Sequence, residues 1–436
     1  MNYQETIDYL FNSLPMYHRI GQAAYKADIT STQQLMEALD HPEHKFRSIH
    51  VAGTNGKGSV SHMLASILHE AGYKVGLYTS PHLVDMRERI RVDGQMITES
   101  EVVDFVARHK STFERLQLSF FEMMVGMAFD CFARNEVDIA VVEVGMGGRL
   151  DSTNVITPEL SVITNIGLDH TQFLGDTLAK IAVEKAGIIK ERVPVVIGES
   201  HPETRPVFEA IAAERNAPIV FADDIYRIKV GLGSYLGRLN FDIERLGKPL
   251  MTNLVSPLAG SYQVKNIATL FAAIEAINHQ GRYHIDPVAI KCGIESVVAK
   301  TGLHGRWEIM AEKPLVVCET AHNADGVNAM LDKLSTMNYK KLHIVYGCVN
   351  DKDFSAILRL LPTEATYYYT QPSVPRRMPV EQLASAAATM GMGGKAYPDV
   401  LQAVKAARLE ATPDDMILIT GSIFLVADAM SVRDQL

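Results

Sequence analysis

Five short runs of apolar, largely β-branched residues constrain this chain most. They are RSIHVAG (47–53), VGLYTS (75–80), VDIAVVEV (137–144), LSVITNI (160–166) and VPVVIG (193–198). Runs this apolar are expected to be buried on both faces, as strands of a parallel sheet covered by helices are. Segments 60–71, 99–116 and 120–134 carry apolar residues at helical spacing and supply crossover helices. From 225 to 252 the period changes to two: Tyr226, Ile228 and Val230, then Leu239, Phe241 and Ile243, are punctuated by Gly231, Gly233 and Gly237. That pattern predicts antiparallel strands on one edge of the sheet. Two helices follow, at about 262–280 and 286–300. Beyond the joint TGLHGRWE (301–308) a second β/α series begins, with PLVVCET, KLHIVYGC, TYYYTQ and MILITGS as its strands. Such a series is a doubly wound sheet of its own. MGMGG (390–394) reads as a flexible loop within it.

Size agrees with two domains: 436 residues, 47% hydrophobic, at roughly 100 to 200 residues per domain. The boundary is expected near residue 300, giving domains 1–298 and 299–436. A net charge of −9 without a basic run argues against nucleic acid or an anionic membrane as a standing partner. MNYQETIDYL lacks the basic start and apolar stretch of a secretory signal, and no apolar run approaches about 18 residues. A soluble cytoplasmic chain is the expectation. Cys131, Cys292, Cys318 and Cys348 show no C-x-x-C spacing and read as buried thiols in a reducing compartment.

The stretch HVAGTNGKGSVSH (50–62) joins the first strand to the first helix. The common phosphate-loop consensus would place Gly at 51 and Ser or Thr at 58, where this chain has Val51 and Gly58. Its context still makes it a phosphate site. Backbone N–H groups and a helix N-terminus converge there, Gly56 and Gly58 let an anion approach, and Lys57 neutralises β/γ-phosphate charge. Thr54 and Ser59 can bond phosphate or magnesium. The fold class is therefore α/β: a P-loop-containing, mostly parallel sheet domain with an antiparallel edge, then a smaller Rossmann-like α/β domain.

Glu143 ends the strand VDIAVVEV directly before a Gly-rich turn, where open α/β sheets bind ligands. Ser80 ends the neighbouring VGLYTS, and Asp169 and His170 follow LSVITNI. Three adjacent strand ends thus offer Ser, Glu and His to one crevice. Magnesium prefers oxygen, so on chemistry alone His170 serves equally as loop-structural, substrate-contacting or metal-binding.

Taken together, these motifs resemble the folylpolyglutamate synthase/dihydrofolate synthase family, ATP-dependent amide ligases related to the cell-wall Mur ligases. That family writes its loop G-T-N-G-K-G-[ST], matched at 53–59. S-P-H-L stands at 80–83, R-E-R-I at 87–90, V-E-V-G-x-G-G-R-L-D-x-T-N at 142–154 and N-I-G-x-D-H at 165–170. E-K-A-G-I-I-K stands at 184–190, Lys265 and Asn266 in a later helix, G-R-[WF]-E at 305–308 and G-x-x-x-D-K-D at 347–353. One motif departs: the family's D-G-A-H-N-P reads Glu319, Thr320, Ala321, His322, Asn323, Ala324. Glu keeps a carboxylate on a longer stem, and Thr removes flexibility.

The resemblance implies an enzyme adding L-glutamate to dihydropteroate, to the γ-carboxylate of tetrahydrofolate glutamate tails, or to both, through an acyl phosphate. Thr54, Asn55, Gly56, Lys57, Gly58 and Ser59 would cradle ATP, with Asn266, Arg306 and Glu319 also at the nucleotide. Ser80, Glu143 and His170 would hold Mg2+, and Lys185 corresponds to a lysine that the family carbamylates. Ser119, Phe120, Phe121 and Glu122, with Leu150, Asp151 and Ser152, would line the pterin pocket. Tyr25 and Lys26 fall near an N-terminal pterin-contacting segment. His322 and Asn323 would meet glutamate, and Lys57, Lys185 and His322 would act in the chemistry. A monomer binding only small molecules is implied. The rivals weighed are a Mur-type peptidoglycan precursor ligase and a P-loop NTPase switch. Gly58 and the missing N-terminal UDP-binding domain oppose the first, the absent N-K-x-D element the second.

Overall fold

The computed structural model describes residues 1–15, 28–231, 234, 237–350 and 354–435. Its largest sheet has eight strands: β1 (Ser48–Ala52), β2 (Val75–Tyr78), β3 (Ile90–Val92), β4 (Gln95–Met96), β5 (Ile139–Glu143), β6 (Leu160–Ile163), β7 (Val195–Ile197) and β8 (Ile219–Phe221). The order is β4-β3-β2-β5-β1-β6-β7-β8. The strands from β2 to β8 in that order pair in parallel, while β3 and β4 run antiparallel at one edge. Every residue of β1, β5 and β6 is buried, the polar ones included: His50 bonds Thr153 and Ser161 donates to the Ile188 carbonyl. From β1 the chain crosses to β2 on one side, and from β5 it crosses over β1 to β6 on the other. Strand order thus reverses beside β1, and a crevice opens at the carboxyl ends there.

Helices cover both faces. Lys57–Glu70 is buried along nearly its whole length, between the sheet and the helices Gln263–His279 and Pro287–Thr301, in a core holding Val60, Leu64, Ile274 and Val297. On the other face Glu99–Leu116 and Phe120–Arg134 bury Phe105, Phe113, Phe129 and Phe132.

The antiparallel strands expected at an edge of this sheet form a sheet of their own instead. β9 (Tyr226–Val230), β10 (Leu239–Arg245) and β11 (Lys248–Ser256) pair in the order β11-β10-β9. The short helix Ala222–Ile225 redirects the chain after β8. Alternate residues Leu239, Phe241 and Ile243 then bury against the helical layer that carries Leu270 and Phe271. The antiparallel edge of the main sheet is β3 with β4. Gly233 lies outside the described residues.

The third sheet contains β12 (Glu308–Glu312), β13 (Leu315–Cys318), β14 (Leu342–Tyr346), β15 (Thr366–Tyr369), β16 (Gly394–Ala396) and β17 (Met416–Thr420). Its order is β12-β13-β17-β14-β15-β16, with only β12 antiparallel. Part of the MGMGG stretch is not loose: Met392 is buried, its carbonyl accepts the Tyr369 hydroxyl, and Gly394 opens β16. Cys131, Cys318 and Cys348 are buried, whereas Cys292 is only half-buried. Among the described residues no helix is long and apolar enough to cross a membrane.

Candidate active site

The carboxyl ends of β1, β2, β5 and β6 face those of β13, β14 and β17 across a cavity of about 1240 Å³. Every candidate site residue named from the sequence lines it except Asn323, whose neighbours His322 and Ala324 do, and except Tyr25 and Lys26, which lie outside the described residues. Asp351, Lys352 and Asp353 also lie outside them.

The loop after β1 is held from β6. Thr54 N donates to the Asn165 carbonyl at 3.0 Å, and Asn55 N donates to Asn165 Oδ1 at 2.8 Å. The Thr164 hydroxyl donates to the Asn55 carbonyl at 2.6 Å, and Thr54 Oγ1 exchanges bonds with Gly167. Gly56 caps the helix with φ +86°. A Cβ there would stand 2.2 Å from Asn266 Oδ1, so glycine is required both for backbone and for space. The first N–H groups of helix Lys57–Glu70 have no acceptor within the helix and open on the cavity. Lys57 Nζ folds back onto the carbonyls of Gly53 and Thr54, at 2.9 and 3.1 Å. Desolvation lowers its pKa, with Glu143 and Asp169 pulling the other way. Ser59 Oγ accepts from Gln263, which in turn accepts from Asn266.

Glu143 ends β5 buried, and Ser80 N donates to its Oε2 at 3.0 Å. Burial raises its pKa; Lys57 and Arg306 partly offset this. The position of a Cβ on Gly58 would be only 3.8 Å from Glu143 Oε1 and 3.9 Å from Arg306. His170, at φ +50°, opens into the same cavity beside Asp169. Ser80 and Glu143 are thus in direct contact, with His170 on the facing rim.

A contact set that the sequence did not reveal ties the two halves together. Asn55 and Asn323 exchange amide bonds at 3.0 and 3.3 Å, and Asn323 also donates to Asp169 at 3.2 Å. His322 Nε2 stands 3.5 Å from Asp169, its Nδ1 bonded to the Thr320 carbonyl. Tyr262, at the start of helix Gln263–His279, donates to Glu319 Oε2 at 2.8 Å. The same oxygen accepts Trp307 N at 2.9 Å. Arg306 donates to the Thr320 hydroxyl. Glu319 is fully enclosed, and desolvation raises its pKa.

Beside the loop the cavity extends into an aromatic annex. Ser119 and Glu122 form a capping box that starts helix Phe120–Arg134 and presents Phe120 and Phe121 to the annex. Phe121 packs against Gly145, where a Cβ would meet the ring at 2.4 Å. The Arg89 guanidinium lies 5.4 Å from the Phe120 ring centroid and bonds His82. Only its membership of the R-E-R-I motif hinted at this. Leu150 and Ser152 line the same wall, and buried Asp151 accepts Met146 N and Thr153 N.

Lys185 is 4% exposed. Its Nζ donates to the Gly53 carbonyl at 2.8 Å. Burial, then the nearby Lys57 ammonium, lowers its pKa to about 7. Read as sequence it is an ordinary helix lysine; in the fold it is an amine held inside the site.

Comparison with known proteins agrees with this geometry. The Mur ligase middle domain matches residues 51–274, and the Mur ligase, glutamate ligase domain matches residues 305–423. The folylpolyglutamate synthase of Lacticaseibacillus casei is 34% identical, over 100% of this chain and 99% of that protein. The dihydrofolate synthase/folylpolyglutamate synthase of Bacillus subtilis (strain 168) is 34% identical, over 92% of this chain and 94% of that protein. The solved structure of E. coli FolC in complex with DHPP and ADP superposes with a TM-score of 0.87 at 30% identity, covering 100% of this chain and 98% of that one. An FPGS-AMPPCP-folate complex gives 0.84 at 32%, with both chains fully covered. The chain therefore belongs to the folylpolyglutamate synthase/dihydrofolate synthase family of Mur ligases.

Proposed function

We propose that the cavity joins L-glutamate in amide linkage to a pterin-borne carboxylate, that of dihydropteroate or of a reduced folate tail, at the expense of ATP. One observation carries this reading. A phosphate loop with Lys57, a buried carboxylate at Glu143 and the fixed cation Arg306 share one cavity with an aromatic annex walled by Phe120 and Phe121. The annex suits a flat heteroaromatic ring, and the loop suits a triphosphate. AMPPCP and folate occupy the related FPGS complex together.

An amine does not displace oxide from a carboxylate at useful rate, so activation comes first. The substrate carboxylate oxygen bonds the γ-phosphorus and ADP departs, giving an acyl phosphate. Thr54 to Ser59 cradle the phosphates, and Lys57 leaves its carbonyl partners to neutralise the transferring group. Asn266 and Arg306 orient the nucleotide, Arg306 as a planar fork. The glutamate amine then attacks the acyl carbon, loses a proton, and inorganic phosphate leaves. His322 and Asn323 orient that amine. A His322→Ala variant with unchanged KM for glutamate would remove this role.

Ser80, Glu143 and His170 fit magnesium. Burial penalises the Glu143 charge more than Lys57, the Ser80 N–H and Arg306 offset it, and a hard divalent cation would favour the charged form further. When bound, magnesium supplies neutralisation of phosphate charge. Lys185 fits carbamylation because its lowered pKa leaves free amine near neutrality; the resulting carboxylate would add oxygen donors beside the loop.

Domains 1–298 and 299–436 close about residues 300–305, and the pairs Asn55–Asn323 and Tyr262–Glu319 hold the closed form. The test compares ADP release with glutamate plus dihydropteroate against glutamate plus tetrahydrofolate. Stimulation by either supports the reading and names the substrate; stimulation by neither ends it.

A further inference from the structure

Outside the cavity, the turn before β1 gathers three metal-ligating side chains. Among the described residues, His41, Glu43 and His44 are the one group of three His, Cys, Asp or Glu whose ligand atoms lie within 4.8 Å of one another. We propose that they form a binding site for a zinc-class divalent transition ion, independent of the active-site magnesium.

The backbone builds the cluster. His41 takes a left-handed conformation and Pro42 starts the single turn Pro42–His44, so residues 41, 43 and 44 fold onto one point. His41 Nδ1 stands 3.0 Å from Glu43 Oε1, and His44 Nε2 stands 3.7 Å from the same oxygen. The two imidazoles stack with centroids 5.4 Å apart. A tetrahedral zinc with bonds of about 2.0–2.2 Å requires ligand atoms roughly 3.3–3.5 Å from one another. The two separations from Glu43 bracket that range, and the two imidazole nitrogens lie within 4.8 Å of one another.

Burial gives the second, independent observation. The Glu43 side chain is 6% exposed, while the imidazoles are 51% and 71% exposed. Its Oε2 is buried with no hydrogen-bond partner, an arrangement that is unfavourable for a charged group. A solvated surface ion pair would turn that oxygen to water. Here the buried carboxylate meets both exposed imidazoles at Oε1, and the three donors would leave one position of a tetrahedral shell for water. Two imidazole donors select zinc, copper or nickel over magnesium. The turn leads into Phe46, whose ring packs against Phe129 and Phe132 at 5.4 and 5.6 Å. A bound ion therefore clips the segment between helix Thr30–Ala38 and β1 onto helix Phe120–Arg134 and stabilises the folded chain by mass action.

The test titrates chelator-stripped full-length protein with zinc chloride against a competing fluorescent zinc indicator, in excess magnesium and ADP so that the active site is covered. Cobalt is used in parallel for its visible ligand-field bands. One zinc per chain is expected, with a saturable rise in Tm. H41N and H44N should each weaken zinc at least roughly tenfold, and the double variant should bind none at this site. Basal ADP release and the circular dichroism of these exposed-residue variants should match the parent, and E143Q should retain the zinc. Absence of stoichiometric zinc binding overturns the proposal. So does zinc that persists in H41N/H44N or is lost in E143Q.

Discussion

Lys185 offers the sharpest test, because its proposed chemistry depends on a protonation state that the fold changes. Burial and the Lys57 ammonium bring its pKa from 10.5 to about 7, against the opposing pull of Asp169 and Asp151. At neutral pH about half the chains then hold a neutral amine, against about one in three thousand for a lysine at its ordinary value, a gain of about three orders of magnitude. Carbon dioxide bonds only to the neutral amine nitrogen, releasing a proton and converting a cationic group into an anionic one. The perturbation is removal of carbon dioxide, followed by labelled bicarbonate at fixed dissolved carbon dioxide across a pH series. Carbamate resonance and ADP release are followed together. The sign is set by the direction of the shift: a lowered pKa means that free amine, and with it the carbamylation rate, rises up to about pH 7 and flattens about one unit above it. A rate still climbing through about pH 9, as a solvated lysine would give, refutes the argument. Equal labelling of Lys185→Gln does the same.

Two further variants probe how the loop and the cross-domain contact are built. Gly56→Ala adds a side chain at φ +86° with its Cβ 2.2 Å from Asn266 Oδ1. The left-handed backbone alone costs about 1–2 kcal/mol, and Asn266 must leave Gln263; kcat/KM for ATP should fall at least about tenfold with the folate KM unchanged, and a parental value for ATP would sink the reasoning. Tyr262→Phe removes one of two donors from the buried Glu319 oxygen and should cost about 1–3 kcal/mol in denaturant melts. Trp307, the sole tryptophan, reports the change by fluorescence because its amide is the other donor; an unshifted midpoint would show that Glu319 does not depend on the phenol.

What the sequence made legible was whatever is local in the chain. A buried parallel strand is largely apolar, so β1, β5 and β6 were readable from their hydrophobic, β-branched runs, and the Gly-bearing turn after β1 was readable from its flanks. Short polar or exposed strands leave no such trace. β4 is two exposed residues, β16 is Gly-Lys-Ala with all three exposed, and β12 is only partly buried, so their pairing is set by neighbours rather than by composition. The edge assignment of β9 to β11 failed for a related reason. Period two says that one face is buried, not which layer buries it, and here helix Gln263–His279 rather than the main sheet supplies the cover. Lys185 marks the same limit within the site. Nothing in EKAGIIK distinguishes a solvated helix lysine from one pressed against Gly53, 132 positions earlier in the chain.

The Glu319–Thr320 departure shows where physical reading adds to motif reading. Against the family's Asp-Gly, the pair lengthens the carboxylate stem and removes a flexible residue. In the fold both changes acquire partners: Oε2 of the longer carboxylate takes the Trp307 amide and the Tyr262 hydroxyl, and the Thr320 hydroxyl takes Arg306. Glycine in place of Thr320 would remove the side chain that orients Arg306. Glu319 is thus committed to holding Tyr262 of the first half against β13 of the second, and it does so at a site where burial disfavours its charge. The Tyr262 phenol, its own pKa raised by burial and by that carboxylate, stays protonated and keeps the bond donated. Both bonds fall on Oε2. In the proposed function Glu319 therefore holds Tyr262 through one oxygen while lining the same cavity as Arg306 and Tyr262, so the substituted motif joins the contact between the halves to the wall of the site.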